Sequence, residues 1–251
     1  MPLVFSIITS SYNQLDNLKK IWPHIRHQSF RHMGEYEWII ADDGSTDGTV
    51  EWCKENNIKF YHKEQNTGYG LVNALNEAAK LAEGQYLVWI MGDSFPKFDF
   101  LEQLYKFATP ETMLNGIRYN VDWENGDEVI APEWRITQNP EVPWWTHNAI
   151  RIGAENGGYV MMTLNSMCMP RALWEQMGGI PTDFDGYGKM DWYMACWMYY
   201  SGYDLTLTPR AVLYHRNHED REDTPQSGIT FDKYLNEFMM RGRKKLVLEP
   251  V

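Results

Sequence analysis

Residues Glu37–Thr49 read EWIIADDGSTDGT. The first five, Glu37–Ala41, form a mostly apolar run too short for a helix. The next eight are turn formers. A short apolar run bounded by Asp, Gly and Ser predicts a buried strand with an abrupt polar exit. Thr49–Asn56 then reads as helical. Strand, polar exit and helix together form the repeating unit of an α/β fold.

The same unit recurs on both sides. Leu3–Thr9 is a continuous apolar run with β-branched residues, which suits a central strand of a parallel sheet. In Asn17–His27, Leu18, Ile21, Trp22 and Ile25 fall at helical spacing. Ile58–Tyr61 predicts a third strand. Leu71, Ala74, Leu75, Ala78 and Leu81 mark one face of a helix that Gly84 closes, and Tyr86–Ile90 predicts a fourth strand. Such alternation implies right-handed crossovers, with ligands at the carboxyl ends of the strands.

The regular pattern stops near Pro96. Trp123–Tyr159 reads as a long irregular segment, with Trp123, Trp134, Trp144 and Trp145 among prolines and glycines. Such segments inside compact domains are functional or disordered, and this aromatic content argues against disorder. Flat rings at this density suit core packing or stacking surfaces. Asn165–Met169 predicts a buried strand and Arg171–Met177 a short helix ended by Gly178–Gly179. Met190–Tyr200 and Thr230–Arg241 predict two further helices. There is no internal repeat.

The bulk numbers exclude several classes. The 251 residues, 43% of them hydrophobic, can bury a sizeable core. A net charge of −11 opposes general nucleic-acid binding. The 11 Trp and 15 Tyr suit a core or stacking surfaces. The three cysteines, Cys53, Cys168 and Cys196, are widely spaced and match no disulfide or zinc pattern, which favours a reducing compartment. The apolar N-terminus lacks a basic lead and reads as a strand. No window approaches a membrane span. A cytoplasmic protein is expected.

Polar groups gather at three strand exits: Thr9–Asn13, Asp42–Ser45 and Asp93–Ser94. In a parallel sheet these exits share one edge and converge on one crevice. One of Asp42 and Asp43 can cap the next helix, which leaves the other to accept hydrogen bonds from a nucleobase or ribose. Gly68–Asn73, GYGLVN, nearly matches G-x-G-x-x-G. It lacks the third glycine and follows the third strand, so it reads as a loop easing into a helix. His215, His218 and Glu219 give H-x-x-H-E in a polar stretch, which does not match the zinc order H-E-x-x-H. A histidine there reads as exposed.

Taken in order, the motifs resemble those of the family 2 glycosyltransferases, over Val4 to His215. They are TSSYNQ at Thr9–Gln14, DDGSTDGT at Asp42–Thr49, NTGYGLVNALNEAAKLAEGQYLVWI at Asn66–Ile90 and GDS at Gly92–Ser94. MPRALWEQMGGIPTDF at Met169–Phe184, MDWYMACWMYYSGYDL at Met190–Leu205 and LYH at Leu213–His215 complete the set. The resemblance implies a GT-A fold: a single α/β domain with a mostly parallel central sheet flanked by helices and an irregular aromatic acceptor-side segment. The domain would span 1–220, with a nucleotide-sugar-binding half at 1–95, an acceptor-side half at 96–220 and a C-terminal extension at 221–251.

The resemblance also implies roles. Thr9, Tyr12 and Asp43 would hold the nucleobase and ribose of a nucleotide-diphosphate sugar, with Asp42 beside them and Asn73 in the same donor-binding set. Asp93 stands at the metal-binding aspartate, for Mn²⁺ or Mg²⁺ bridging the donor diphosphate. Asp191 stands at the catalytic base. His215 matches a histidine that in some relatives reaches the metal or diphosphate. The chain departs from the family pattern at Met91 and Ser94, where D-x-D-D has acids, at Val72, often Arg, and at Met190, often Glu. A magnesium-type ion often takes only one or two protein carboxylates, so Asp93 with a histidine would suffice. Read alone, Asp93 could instead start an Asx turn, Asp191 could be a simple acid at a helix start, and Asp183 and Asp185 are rival bases. The expected activity is inverting sugar transfer to a hydroxyl of a glycan or polysaccharide precursor. The alternatives are a non-catalytic nucleotide-sugar or glycan-binding module and a transferase acting on a modified DNA base.

Overall fold

The computed structural model describes residues 1–64, 70–122, 128–132, 150–152, 162–184, 186–216 and 224–244. Four parallel strands begin the chain: β1 (Leu3–Ser11), β2 (Glu35–Asp42), β3 (Lys59–His62) and β4 (Tyr86–Trp89). Between them come α1 (Leu15–Arg26), α2 (Thr49–Glu55) and α3 (Leu71–Lys80). Ser11 lies opposite Asp42, and Asp42 opposite His62, in parallel register. The carboxyl ends of these strands therefore form one edge, as the sequence pattern predicts.

The second half continues the same sheet. It contains β5 (Ser94–Pro96), α4 (Phe100–Tyr105), β6 (Thr112–Asp122), β7 (Glu128–Pro132), β8 (Ile150–Ile152), β9 (Met167–Pro170) and α5 (Arg171–Met177). It ends with α6 (Met190–Tyr200), β10 (Asp204–Arg216) and α7 (Pro225–Arg241). The main strand order is β3-β2-β1-β4-β9-β6-β10-β5, with β7 on β6 and β8 on β10. β9 runs antiparallel to both β4 and β6, whereas β6 and β10 run parallel. β9 thus joins the parallel half to a mixed half.

Period-two alternation divides the sheet's side chains between two cores. Ile8, Ile39, Ala41, Leu87 and Trp89 face α3, α5, α6 and α7. Ile7, Trp38, Ile40, Val88 and Ile90 face α1, α2 and α4. Helix α6 is apolar on nearly every side, with all residues from Tyr193 to Tyr199 buried, because it lies between the sheet and α7. Segment 221–251, set apart in the sequence reading as an extension, supplies α7. Its Phe231 and Phe238 belong to the same buried cluster as α6.

Two differences from the sequence reading bear on the site. The irregular segment 123–159 includes the strands β7 and β8, while Trp123, Trp134, Trp144 and Trp145 lie outside the described residues. The second difference is β10. The expectation of a polar loop around His215 is corrected: His215 sits within a 13-residue strand and is only 7% exposed. A register shift between Leu207 and Val212 absorbs Pro209 and Arg210 as a bulge. Gly116 of β6 makes room for that bulge, since a Cβ there would lie 2.4 Å from the Ala211 carbonyl oxygen.

Candidate active site

Loop-to-loop hydrogen bonds join the exits of β1 and β2. Asn13, with φ at 50°, turns the chain after β1. Its backbone N–H donates to Ser45 Oγ (2.8 Å), and its side-chain oxygen accepts from the Thr46 N–H (2.8 Å). Asp47 Oδ2 accepts from the Leu15 N–H (2.8 Å), and its Oδ1 accepts from Thr49 Oγ1 (2.6 Å). Burial would raise the Asp47 pKa, but the bonds from Thr49 and Leu15 outweigh burial and hold it below the ordinary value. Tyr12, 51% exposed, projects from this frame.

The structure separates the two adjacent acids. Asp42 is fully buried. Its Oδ2 accepts from the Ser45 N–H (2.9 Å) and from His62 Nδ1 (2.7 Å), and its Oδ1 accepts from Ser45 Oγ. Its carboxylate is thus committed to holding the loop. Asp43 faces the start of α3. Its Oδ2 accepts from the Gly70 N–H (2.9 Å), and Lys63 Nζ lies 3.5 Å from its Oδ1. A Cβ at position 70 would fall 2.0 Å from Asp43 Oδ1, so this approach needs glycine. That close approach explains Gly70 of the near-fingerprint; Gly68 and Tyr69 lie outside the described residues. Asn73, exposed in the first turn of α3, has its Nδ2 3.3 Å from the Tyr61 hydroxyl.

Thr9 lies deeper than the exit. It is fully buried, and its Oγ1 accepts from the Trp38 indole N–H (2.8 Å). That burial does not suit the direct donor contact expected of it. The polar groups nearer the edge are Ser10, whose Oγ lies 3.3 Å from Met91 Sδ, and Ser11. Ser11 Oγ is buried and has no hydrogen-bond partner among the described residues. The sequence places both serines at this polar exit but assigns them no role.

Asp93 follows β4 in a tight turn. Its backbone carbonyl accepts from the Arg216 N–H (2.8 Å), which fixes the end of β10 beside it. β5 pairs antiparallel with β10 and sets His215 opposite Ser94. His215 Nε2 lies 3.4 Å from Asp93 Oδ2, and His215 Nδ1 lies 3.1 Å from Asn120 Oδ1 on β6. Asp93 Oδ1 accepts from Ser94 Oγ (3.1 Å), which in turn accepts from Asn165 Nδ2 (2.5 Å). Asn165 Oδ1 accepts from the Met91 N–H (3.1 Å). Asn120 and Asn165 carried no signal in the sequence, because their partners are distant in the chain.

Asp93 and His215 offer one carboxylate oxygen and one imidazole nitrogen side by side. That donor pair suits a Mn²⁺- or Mg²⁺-type ion whose remaining positions are filled by phosphate and water. No cluster of three or more His, Cys, Asp or Glu that could hold a metal occurs among the described residues. The protein pair fits the ion only as a partial shell that a diphosphate would complete.

Asp191 opens α6, where its Oδ1 accepts from the Trp192 N–H (2.9 Å). Lys189, with φ at 65°, precedes the helix, and its Nζ lies 3.4 Å from the centre of the Trp192 ring. Trp192 and Met91 pack against the same apolar cluster, so Asp191 and the β4 exit belong to one side of the sheet. Of the rival bases, Asp183 is held by Lys233 Nζ (3.1 Å) and the Tyr234 hydroxyl (2.9 Å). Burial opposes ionisation of Asp183, but these bonds prevail and hold its pKa low. Asp185 and His218 lie outside the described residues.

A profile of glycosyl transferase family 2 matches residues 6–165. The chain belongs to this family. It is 29% identical over 134 residues to glycosyltransferase GlyG of Streptococcus pneumoniae, covering 51% of this chain and 43% of that protein. It is 35% identical over 111 residues to the putative teichuronic acid biosynthesis glycosyltransferase TuaG of Bacillus subtilis, covering 42% of each. The chain thus spans under half the length of these two relatives. Among solved structures it resembles S. aureus TarS 1-349 in complex with UDP, with a TM-score of 0.73 and 17% identity, over 96% of this chain and 66% of that one. The same protein in complex with UDP-GlcNAc gives a TM-score of 0.68 at 18% identity, over 95% of this chain and 66% of that one. The fold is that of the GT-A glycosyltransferases. No helix among the described residues is long and apolar enough to cross a membrane.

Proposed function

We propose that this protein is an inverting glycosyltransferase that moves a sugar from a nucleoside-diphosphate donor to a hydroxyl of a glycan or polysaccharide precursor. One observation carries the reading: the exits of β1, β2 and β4 share one edge, and at that edge Asp93 faces His215 across 3.4 Å. The UDP and UDP-GlcNAc complexes of TarS support a nucleotide-sugar donor.

In this reading Tyr12 and Asp43 bind the nucleoside, with Asn73 beside them. Asp42 and Thr9 hold that surface in shape from behind. Asp93 and His215 would hold a divalent cation, which when bound neutralises charge developing on the departing diphosphate. Asp191 accepts the proton of the acceptor hydroxyl as it attacks the anomeric carbon. The aromatic stretch Trp123–Trp145 is the proposed acceptor wall; its four tryptophans lie outside the described residues. The three described cysteines are buried and unpaired, which fits a reducing, cytoplasmic setting.

The test is a panel of UDP-, GDP-, CDP- and TDP-sugars, with and without Mn²⁺, scored by thermal shift and by donor turnover. One donor class should raise the apparent stability by mass action. Turnover should fall by about 10²–10⁴-fold in Asp191→Asn, the range for loss of a general base. Binding without turnover in the native chain would replace the transferase with a binding module, and salt-dependent retention on DNA would revive the base-modifying alternative.

A further inference from the structure

We infer that a cleft between Arg26 and Arg31 docks the phosphate headgroups of an anionic lipid surface. The inference does not depend on the donor reading above. Residues 17–34 carry Lys19, Lys20, Arg26 and Arg31 and no acid, in a chain whose net charge is −11. All four of these cations are exposed. Three lie on α1, and Arg31 lies on the 3₁₀ turn Ser29–His32 that follows it. That turn leads into β2 at the amino edge of the sheet, opposite the edge that holds Asp93.

A cleft of about 110 Å³ opens there, with Trp22, Arg26, Arg31, Tyr36, Trp38 and Asn57 among its lining. The Arg26 guanidinium lies 5.7 Å from the centre of the Trp22 ring, and that of Arg31 lies 5.1 Å from the centre of Tyr36. Arg31 Nε donates to the Tyr36 hydroxyl (2.9 Å) and to the Arg26 carbonyl (3.0 Å). Neither guanidinium meets a carboxylate among the described residues. A guanidinium laid on a ring keeps its N–H edge for an oxyanion, and phosphate suits that fork.

The size and surroundings of the cleft narrow the ligand. It is small beside the ~300–1,000 Å³ of small-molecule pockets, so it suits a phosphate group and not a nucleotide. The Trp22 ring already stacks on Trp38 at 5.3 Å, which leaves less of its face for a sugar. Positive charge continues beyond the cleft, because Lys19 stands about 10 Å along α1 from Arg26. A lone phosphate would use the arginines alone, whereas a layer of headgroups uses the whole stripe. Half-buried Trp22 and exposed Met33 set apolar groups among the cations, as interfacial helices do. Charges within a Debye length of an anionic surface are drawn to it, even when distant acids make the chain negative.

The experiment is flotation of the full chain with vesicles of equal parts phosphatidylcholine and phosphatidylglycerol, and with vesicles of phosphatidylcholine alone. The native chain should float with the mixed vesicles only, and added salt should release it. Arg26→Gln with Arg31→Gln should weaken binding by about 25-fold, or about fivefold for each charge. Lys80→Gln with Lys233→Gln removes the same charge from α3 and α7, on the other side of the sheet, and should stay within about twofold of native. If the double arginine variant does not fold, Arg26→Gln alone decides, because that guanidinium makes no hydrogen bond among the described residues. Equal flotation with neutral vesicles, no flotation at all, or arginine variants that bind like native would overturn the inference. So would equal weakening by the lysine pair. Capture of inorganic phosphate or of a soluble acidic polysaccharide, without flotation, would make the cleft an ion or polymer site and overturn it too.

Discussion

Two aspartate–histidine pairs occupy the same edge of one sheet, and they do different work. In the outer pair, His62 Nδ1 donates to Asp42 Oδ2 at 2.7 Å, and Ser45 takes up the rest of a carboxylate that is fully buried. In the inner pair, Asp93 is about a quarter exposed, and the ring meets it through Nε2 at 3.4 Å while Nδ1 is turned to Asn120. The outer pair is closed: every strong interaction ends on another protein group. The inner pair is longer, and Asp93 keeps part of its side chain in solvent. Residue type does not separate the structural pair from the proposed binding pair here. The identity of the third partner does.

Substitutions can break or sharpen this contrast. Asp93→Ala should lower turnover by about 10²–10³-fold, the usual effect of removing a group that stabilises transition-state charge. Its melting temperature should move by no more than about 2 °C, since the site is at the surface. An unfolded Asp93→Ala protein would make the inner pair structural and erase the distinction. Asp42→Ala should do the reverse. It strands Ser45 and His62, so it should cost about 1–3 kcal/mol of stability, measured by urea unfolding. Any loss of donor affinity should then follow from the loosened loop.

The next expected effect is chemical. Burial first, and then the Asp42 charge, push the Cys53 thiol up to about 12, and burial alone pushes Cys196 up to about 12. At pH 8 the folded chain should resist iodoacetamide, with a thiolate fraction near ~10⁻⁴. Asp42→Ala should hasten labelling of Cys53 more than that of Cys196, as read by peptide mass spectrometry.

The smallest effect concerns acid. Burial would raise the Glu37 pKa, but bonds from Lys59, Ser6 and the Glu83 N–H hold it below its ordinary value of 4.5. A lowered carboxylate contributes stability that is present above the unfolded value and lost as pH falls through the folded one. Native stability should therefore decline as pH drops below about 4.5, and Glu37→Gln should flatten that slope.

The parallel half was legible because each strand is a short apolar run and each helix shows one apolar face. Met190–Tyr200 and Arg171–Met177 were read to the residue. The mixed half was not legible in the same way. β6 carries Asn115, Gly116 and Asn120, and β10 carries Pro209 and Arg210, so both interrupt the pattern expected of strands. The inward positions of β10 are Leu205, Leu207, Ala211, Leu213 and His215, an alternation visible only once the bulge is allowed for. The pairing of His215 with Asp93 came from family resemblance, since no local pattern joins residues so far apart. The division of labour between Asp42 and Asp43 was open in the sequence, because adjacent residues at a strand exit point to opposite sides and either could turn inward.

The tie between β10 and the β4 exit also bears on how the protein is made. A ribosome emits β1 to β4 early, and that portion already contains the groups proposed to grip a nucleoside. His215 and the Arg216 N–H that braces Asp93 emerge much later. The Asp93–His215 contact therefore cannot form until nearly the whole sheet has been made.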